Sequence, residues 1–203
     1  MIYETVQNFP ADIGQTDVTL RAVNIVGEQR GPFNAKREIQ VFPGAHWEIE
    51  VAFLPVLRAE AQRLEAFLLS LRGKAGTFRM ADPYRSLPLG SNLGTPLVRV
   101  ATVAGDEAVL TKGWTVSQPD ALKAGDFIEI GTRLHMVLQD ADADASGNAT
   151  VNVWPPIRQV HAVDAPVITR NARGVFALDA NAVELTRGVN GYNGAILRAV
   201  EVV

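Results

Sequence analysis

The stretch "HWEIEVAF", residues 46–53, decides the fold class of this chain. Apolar and polar side chains alternate along it with a period of two residues. The apolar positions are Trp47, Ile49, Val51 and Phe53, and the polar positions are His46, Glu48 and Glu50. This period is typical of a half-buried β-strand, so the stretch predicts a sheet with one covered side.

The segments before this stretch extend the same pattern. "REIQVF" (residues 37–42) alternates in the same way and predicts a partner strand, with "PGA" (residues 43–45) as the turn between the two. "DVTLRAVNIV" (residues 17–26) predicts an earlier and weaker strand. The N-terminal part of the chain is therefore expected to be mainly β.

One segment predicts an α-helix. In "RAEAQRLEAFLLSLRG" (residues 58–73) and the residue before it, apolar side chains recur at helical spacing. These positions are Leu57, Ala61, Leu64, Leu68 and Leu71. Pro55 precedes the helix, and Gly73 stands where a left-handed C-terminal cap belongs.

A loop-rich segment indicates the domain organisation. "DPYRSLPLGSNLGTP" (residues 82–96) is rich in turn residues, and short predicted strands follow it up to "TVNVWPP" (residues 150–156). We expect one discontinuous β-sandwich domain with a single helix, built from residues 1–86 and 163–203. A small β-barrel domain, residues 95–162, is expected as an insertion.

The composition excludes several classes of protein. Of 203 residues, 47% are hydrophobic and 20% are charged, which rules out disorder of the whole chain. The net charge of −3 and the lack of a basic stripe argue against extended nucleic-acid binding. Without cysteine there is no thiolate catalysis, disulfide or cysteine-ligated zinc. Neither a signal peptide nor a bilayer-length apolar run is apparent, so we expect a soluble protein made in the cytoplasm, with no membrane partner.

The run "DADADASGNAT" (residues 140–150) is the strongest metal-site candidate. Asp140, Asp142 and Asp144 fit the first three ligand positions of an EF-hand loop. Ala145 and Val151 occupy the positions that require glycine and a bidentate glutamate. We therefore favour a hairpin loop with "SGN" at its tip over a calcium site.

The histidines and tryptophans give no clear site. His46, His135 and His161 lack metal-ligand spacing, and the first two are expected on solvent or interface faces of strands. The three tryptophans are interpreted as core residues rather than as a carbohydrate-stacking set. They are Trp47, Trp114 and Trp154.

No motif indicates an enzyme. There is no G-x-S-x-G sequence and no phosphate-binding glycine loop. "GVNGYNG" (residues 188–194) is interpreted as turns. Glu48 and Glu50 lie on one face of a strand, and glycosidases use a pair of carboxylates. Alternating charge on an exposed strand face explains the two residues more simply. We predict no catalytic, cofactor-binding or metal residue.

Two segments carry a family resemblance. "AHWEIEVAFLPVLRAEAQRLEAFLLSLRGKAGTFRMADP" (Ala45–Pro83) places a strand, a proline turn, one amphipathic helix and a glycine-containing segment in series. "ALKAGDFIEIGTRLHMVLQDADADASGNATVNVWPPIR" (Ala121–Arg158) runs from a short strand into a long hairpin. Together they resemble the distal tail protein family of bacteriophages with siphovirus morphology.

This resemblance implies a structural role in a virion. It implies a β-sandwich with one helix, an inserted domain similar to an OB-fold, and a homo-hexameric ring at the phage tail tip, assembled in the host cytoplasm. The ring would join the tail tube protein to baseplate hub and tail-fibre proteins, and DNA would pass through its lumen without specific binding. The family supplies no catalytic residues and no cofactor.

A ring of identical subunits needs two different surfaces that fit each other, and edge strands suit this task. We expect subunit-interface residues in the charged loop Gly27–Glu38, namely Arg30, Lys36 and Arg37, and on the strand face of Glu48 and Glu50. A solvated turn is the simpler interpretation of the loop.

Two alternative functions remain open. A carbohydrate-binding module would require exposed aromatic side chains, with Trp114 and Tyr192 as the first to test. An enzyme with an unrecognised site would require convergent acidic or histidine side chains in a cleft, and the sequence indicates none.

Overall fold

The computed structural model describes residues 6–10, 13, 17–30, 33, 35–53, 57–182, 187–188, 191–192 and 196–202. Regular structure in these ranges is mainly β-strand, with one α-helix, α1 (Arg58–Ser70). The strands are β1 (Gln7–Asn8), β2 (Asp17–Arg30), β3 (Arg37–Ala52), β4 (Thr77–Ala81), β5 (Gly94–Val98), β6 (Ala108–Trp114), β7 (Phe127–Ile130), β8 (Arg133–Val137), β9 (Asn148–Trp154), β10 (Val167–Ile168), β11 (Arg173–Leu178), β12 (Arg187–Gly188), β13 (Gly191–Tyr192) and β14 (Ile196–Glu201). The predicted mainly β class with a single helix is confirmed.

The first six-stranded sheet combines strands from both ends of the chain, in the order β1-β4-β11-β14-β3-β2. β1 is parallel to β4, and the other neighbours are antiparallel. The apolar stripe of α1 packs against one side of this sheet and forms the predicted layered unit. Its core consists of Phe9, Ile13, Trp47, Ile49, Val51, Phe53, Leu64, Leu68, Leu71, Phe78, Met80, Phe127, Leu134, Ala172, Phe176, Leu178, Leu197 and Ala199.

Strand β3 is continuous through residues 43–45, so the turn predicted there is wrong. The register between β2 and β3 shifts between Val23 and Ile25, which marks a β-bulge. Pro43 is tolerated because the ladder is interrupted at this point and needs no N–H from it. A Cβ on Gly44 would lie 2.5 Å from Ile25 Cδ1, so a larger residue there would require the exposed Ile25 side chain to move. The hairpin partner of β3 is β2.

Helix α1 matches its prediction closely. Glu60 accepts a hydrogen bond from the Leu57 N–H at the N-terminus (3.3 Å), which satisfies one of the free donors of the first turn. Ala61, Leu64 and Leu68 form its buried stripe. The left-handed residue that follows the C-cap Leu71 is Arg72 (φ +52), one position before the glycine predicted for that role. Gly73 is also left-handed (φ +66), and a Cβ there would lie 2.8 Å from Asn181 Cα.

The second six-stranded sheet curls into a nearly closed barrel with the order β10-β7-β8-β9-β6-β5. Its two edges meet where the Val98 N–H donates to Ala165 O and the Asp164 N–H donates to Val98 O, both at 2.9 Å. The barrel is therefore filled by side chains from the curled sheet and from the connections between its strands. They are Val98, Val109, Trp114, Ala121, Leu122, Ile128, Ile130, Val137, Ala141, Ala143, Ala149, Val151, Val153, Ile157 and Val167.

Strands β7 and β8 are shared between the two cores. Phe127 and Leu134 pack into the first core, while Ile128, Ile130 and Val137 face the barrel interior. The barrel therefore packs directly against the first sheet through two strands that are buried on both faces. Its strands run from Gly94 to Ile168, compared with the range 95–162 predicted for the inserted domain, and the division into two domains stays a prediction.

Candidate interaction surface

The β2–β3 hairpin extends well beyond the rest of the first sheet. Residues 25–30 of β2 and 37–42 of β3 pair only with each other among the described residues. We call these two segments the arm. Half of the predicted charged loop Gly27–Glu38 is thus strand, and residues 31–36 connect the two strands. The connection is shorter than predicted because the polar residues at both of its ends give no apolar alternation that would indicate a strand.

The arm exposes apolar side chains on both of its faces. Directly opposed residues of an antiparallel pair share a face, so Ile25 and Phe42 lie on one side and Val26 and Val41 on the other. Ile39 shares the face of Val26 and Val41. These five side chains expose between 41% and 75% of their surface. A two-stranded ribbon is marginally stable in water, and these exposed apolar side chains lie together on it, so the arm is a candidate interaction surface.

The tip of the arm carries three of the five residues predicted at a subunit interface. Arg30 Nε lies 2.7 Å from Glu28 Oε1, and Arg37 Nη2 lies 3.3 Å from Glu28 Oε2. Lys36 is an exposed residue just before β3. At the tip, two guanidinium groups therefore share one carboxylate.

The other two predicted interface residues lie on the side of the first sheet that α1 leaves uncovered. Glu48 pairs with Arg21 (3.1 Å) and Glu50 pairs with Arg198 (2.9 Å). Together with Asp179 they line a concave region of about 380 Å³. We call this region the open face. Here three carboxylates face two guanidinium groups.

The two predicted sets are far apart within one chain. Arg37 and Glu48 both belong to β3, and eleven residue steps at roughly 3.3 Å each place them roughly 36 Å apart. The five predicted interface residues therefore lie on two separate surfaces of the chain.

A buried ion pair links the barrel to the first sheet. Glu129 of β7 has no exposed surface, and its Oε1 accepts a hydrogen bond from the Arg79 guanidinium of β4. Its Oε2 accepts from the Arg173 main-chain N–H at 2.9 Å. Burial, and then the nearby Arg173 charge, lower the pKa of Arg79. Sequence analysis missed this contact because "FIEI" (residues 127–130) reads as an ordinary half-exposed strand.

A second charged cluster links the same units in the opposite direction. Glu201 of β14 is buried, and its Oε2 accepts from the Trp47 N–H at 3.2 Å. Burial raises the pKa of Glu201, and the Trp47 N–H and the Arg133 and Arg158 charges partly offset this effect. The Arg158 guanidinium also donates to Ala45 O in β3. Each unit thus places one carboxylate beside two arginines of the other unit.

His135 is buried, so its expected position on a solvent or interface face is wrong. It belongs to β8, whose two faces are both covered, and strand alternation cannot reveal this second cover. Its Nδ1 donates to Pro155 O (2.7 Å), and its Nε2 has no hydrogen-bond partner among the described residues. Burial lowers the pKa of His135 to about 4, although the Pro155 contact opposes the shift. Burial also lowers the pKa of His161.

The aspartate run forms the connection between β8 and β9 and binds main-chain donors. Asp140 Oδ1 accepts from the Ala124 N–H (2.8 Å), and Asp142 Oδ1 accepts from the Asp120 N–H (2.7 Å). Asp144 Oδ1 accepts from two N–H groups near the loop tip, and these bonds lower the pKa of Asp144. The alternating aspartates thus fasten this loop to residues 118–124, while the alanines between them are buried. The hairpin interpretation is confirmed.

The tryptophans lie where a core assignment predicts. Trp47 and Trp114 are buried, and Trp154 packs edge-to-face on Trp47 with ring centroids 4.5 Å apart. Trp154 Nε1 donates to Asn24 Oδ1 (2.9 Å), which fixes the base of the arm against the barrel. The Tyr192 side chain lies outside the described residues, so Trp114 is the one proposed carbohydrate contact that is placed, and it is in the core.

The described residues show neither a metal-ligand cluster nor a membrane-spanning helix. In the described ranges, no three His, Asp or Glu side chains are grouped as ligands of a metal ion. No helix in those ranges combines the length and hydropathy needed to cross a bilayer. The features with unexplained chemistry are therefore the arm and the open face. Neither protein-family models nor curated proteins give a match to this chain.

Proposed function

We propose that the chain is a structural virion protein that forms a hexameric ring at the distal end of a long non-contractile phage tail. The ring joins the tail tube to the baseplate hub and leaves a channel through which DNA passes. The segments Ala45–Pro83 and Ala121–Arg158 supply the family resemblance behind this proposal. The arm is the single structural observation that supports self-association.

The apolar side chains of the arm contribute free energy to such an assembly when they are covered. Fully burying one large apolar side chain stabilises a complex by about 1.5–3 kcal/mol. The five apolar side chains of the arm are roughly half exposed, so covering them contributes on the order of 4–8 kcal/mol before the cost of association. Association itself costs roughly 4–15 kcal/mol, so the arm offsets part of this cost and does not by itself hold a ring when subunits are dilute.

A ring also requires an open strand edge or a second surface on each copy. β2 is the last strand of the first sheet, so its outer edge presents main-chain donors and acceptors that no described strand pairs with. Each subunit therefore offers both an apolar projection and a free edge.

The test is the assembly state of the full chain at high concentration. We expect light scattering to give six times 21.9 kDa, about 131 kDa, and electron microscopy to show a ring with a central hole. The substitution Val41→Asp places a charge in the middle of the arm and should abolish the ring. Val116→Asp, at an exposed position of the barrel, is the matched control and should leave the ring intact.

The result that refutes the proposal is equally specific. A chain that forms only open fibres or only dimers, with no closed six-membered ring on its own or on tail-tube ends, rules out this function. Binding to a glycan array would instead favour a carbohydrate-binding module.

A further inference from the structure

The arm tip and the open face have opposite charge excesses. At the tip, Arg30 and Arg37 share the single carboxylate of Glu28, which leaves one positive charge in excess. On the open face, three carboxylates are set against two guanidinium groups, which leaves one negative charge in excess. These groups are Glu48, Glu50 and Asp179 against Arg21 and Arg198.

The two surfaces cannot meet within one chain. Both lie on the same hairpin, and β3 runs without a break between Arg37 and Glu50. Because β2 and β3 stay paired on both sides of the bulge, the ribbon holds its tip away from its own base. The tip and the open face can therefore be matched only between two copies of the chain.

Such a contact has the geometry that a closed ring requires. When one surface of a subunit fits a different surface on its neighbour, the contact is heterologous, and repeated contacts close into a ring if the rotation allows it. A contact between two identical arms would instead give a two-fold dimer. The separation of the two surfaces on one hairpin thus favours a directional, tip-to-face arrangement.

We propose that the arm tip of one copy docks into the open face of the next copy. The proposal rests on the proposed ring and names the two surfaces that form its subunit contact. Arg30 and Arg37 approach the acidic side of the open face, which sets the register of the contact. Val26, Val41 and Ile39 lie on the same face of the arm as these arginines, so docking also covers the apolar patch on that face.

The open face offers apolar surface beside its charges. Ile196 and Val200 of β14 stand two residues before and after Arg198, which is paired with Glu50. All of these side chains therefore point to the same side of the sheet. Ile196 is well exposed. The neighbour's arm would therefore meet apolar side chains next to the ionic groups. This arrangement, in which charges fix orientation and apolar contact supplies affinity, is common in specific interfaces.

Charge reversal tests the contact directly. The arm variant Arg30→Glu/Arg37→Glu and the face variant Glu50→Lys/Asp179→Lys each place like charges opposite one another. We expect each variant to associate about a hundredfold more weakly than the wild-type chain in sedimentation equilibrium. The variant with all four substitutions exchanges the two signs and should recover association.

A mixing experiment tests the direction of the contact. When the arm variant and the face variant are mixed, the unchanged arm of one fits the unchanged face of the other, and the reversed arm fits the reversed face. We expect the mixture to assemble with the two variants in alternation, although neither variant assembles alone. A contact between two arms would instead stop at a one-to-one dimer of twice 21.9 kDa, about 44 kDa. Glu65→Lys/Glu107→Lys, a change of equal charge on α1 and on the barrel, is the control and should assemble like the wild-type chain. Far-UV circular dichroism confirms that each variant is folded.

The outcomes separate this inference from the proposed function. Closed rings that tolerate both reversals overturn the tip-to-face contact and leave the ring intact. Open chains that respond to the reversals and re-form when the two variants are mixed support the contact and overturn the ring. A wild-type chain that stays monomeric at millimolar concentration overturns the contact, because every copy carries both surfaces.

Discussion

Acidification from pH 7 to pH 4 is expected to destabilise the folded chain through His135. The ring is buried between the two cores and holds its Nδ1 proton on Pro155 O, so the neutral form fits the site and the charged form does not. Arg133, Arg158 and His161 add positive charge around it, and Glu201 is the nearby carboxylate of the same cluster. The unfolded chain has no such penalty and takes up a proton at the ordinary histidine pKa.

The magnitude follows from the two pKa values. The pKa of His135 is about 4 in the folded chain and 6.5 in the reference state. A shift of one pKa unit corresponds to 1.36 kcal/mol, so the full penalty is about 3.4 kcal/mol. The stabilising contribution of the neutral ring is complete above pH 6.5 and is lost as the pH falls through the folded pKa. We expect a loss of about 2 kcal/mol by pH 5 and about 3 kcal/mol by pH 4.

The assay is urea unfolding at pH 7, 6, 5 and 4, followed by tryptophan fluorescence. The comparison is with His135→Asn, whose side-chain amide can still donate to Pro155 O but does not titrate. The difference between the two proteins cancels the titration of Glu201 and His161 and should shrink by about 3 kcal/mol between pH 7 and pH 4. His46→Asn, at a half-buried position of β3, is the control. A difference that stays constant with pH would show that the folded chain accepts a charged ring at residue 135.

Three further changes test contacts elsewhere in the structure. Glu129→Gln leaves the partly buried Arg79 guanidinium without its counter-ion and should lower the free energy of unfolding by about 1–3 kcal/mol, whereas Glu50→Gln at an exposed pair should cost about 0–1 kcal/mol, both measured by urea titration. Gly113→Ala combines φ +89 with a Cβ only 2.5 Å from a carbonyl oxygen and should lower the melting temperature more than Gly105→Ala, which has φ +101 but open space; equal shifts would contradict the predicted overlap. Asp144→Ala should lower the melting temperature at pH 7, since two main-chain N–H groups lose their acceptor, and an unchanged value would mean that water replaces the carboxylate fully.

Local pattern predicted the elements that have one covered face. The alternation around Trp47 and the helical spacing from Ala61 to Leu68 are read correctly because in each case a single core selects the apolar side. The turn assigned to "PGA" (residues 43–45) failed because proline and glycine occur at a β-bulge for the same steric reasons as in a turn. Strand β6 was not identified, because its alternation is short and is interrupted by Gly113.

The buried polar contacts were beyond sequence analysis for a different reason. Glu129 and Glu201 each occupy a position that alternation assigns correctly to a strand face. What covers that face is set by a segment more than 40 residues away in the chain, as in the pairing of Glu129 with Arg79 and Arg173. The exposure of the five predicted interface residues follows from the strand pattern alone, and their place at an interface stays a prediction.

The two strands that belong to both cores limit how the barrel can be exchanged. Leu134 packs closely on the first sheet at Gly174. A Cβ added to Gly174 would lie 3.2 Å from the Cβ of Leu134. An isolated fragment of residues 94–168 would present Phe127 and Leu134 to water, and the remainder would lose the partner of Trp47. Recombination that exchanges the barrel between related chains would therefore keep this packing only when the recipient sheet also has Trp47 and Gly174. The barrel and the first sheet are thus expected to evolve together.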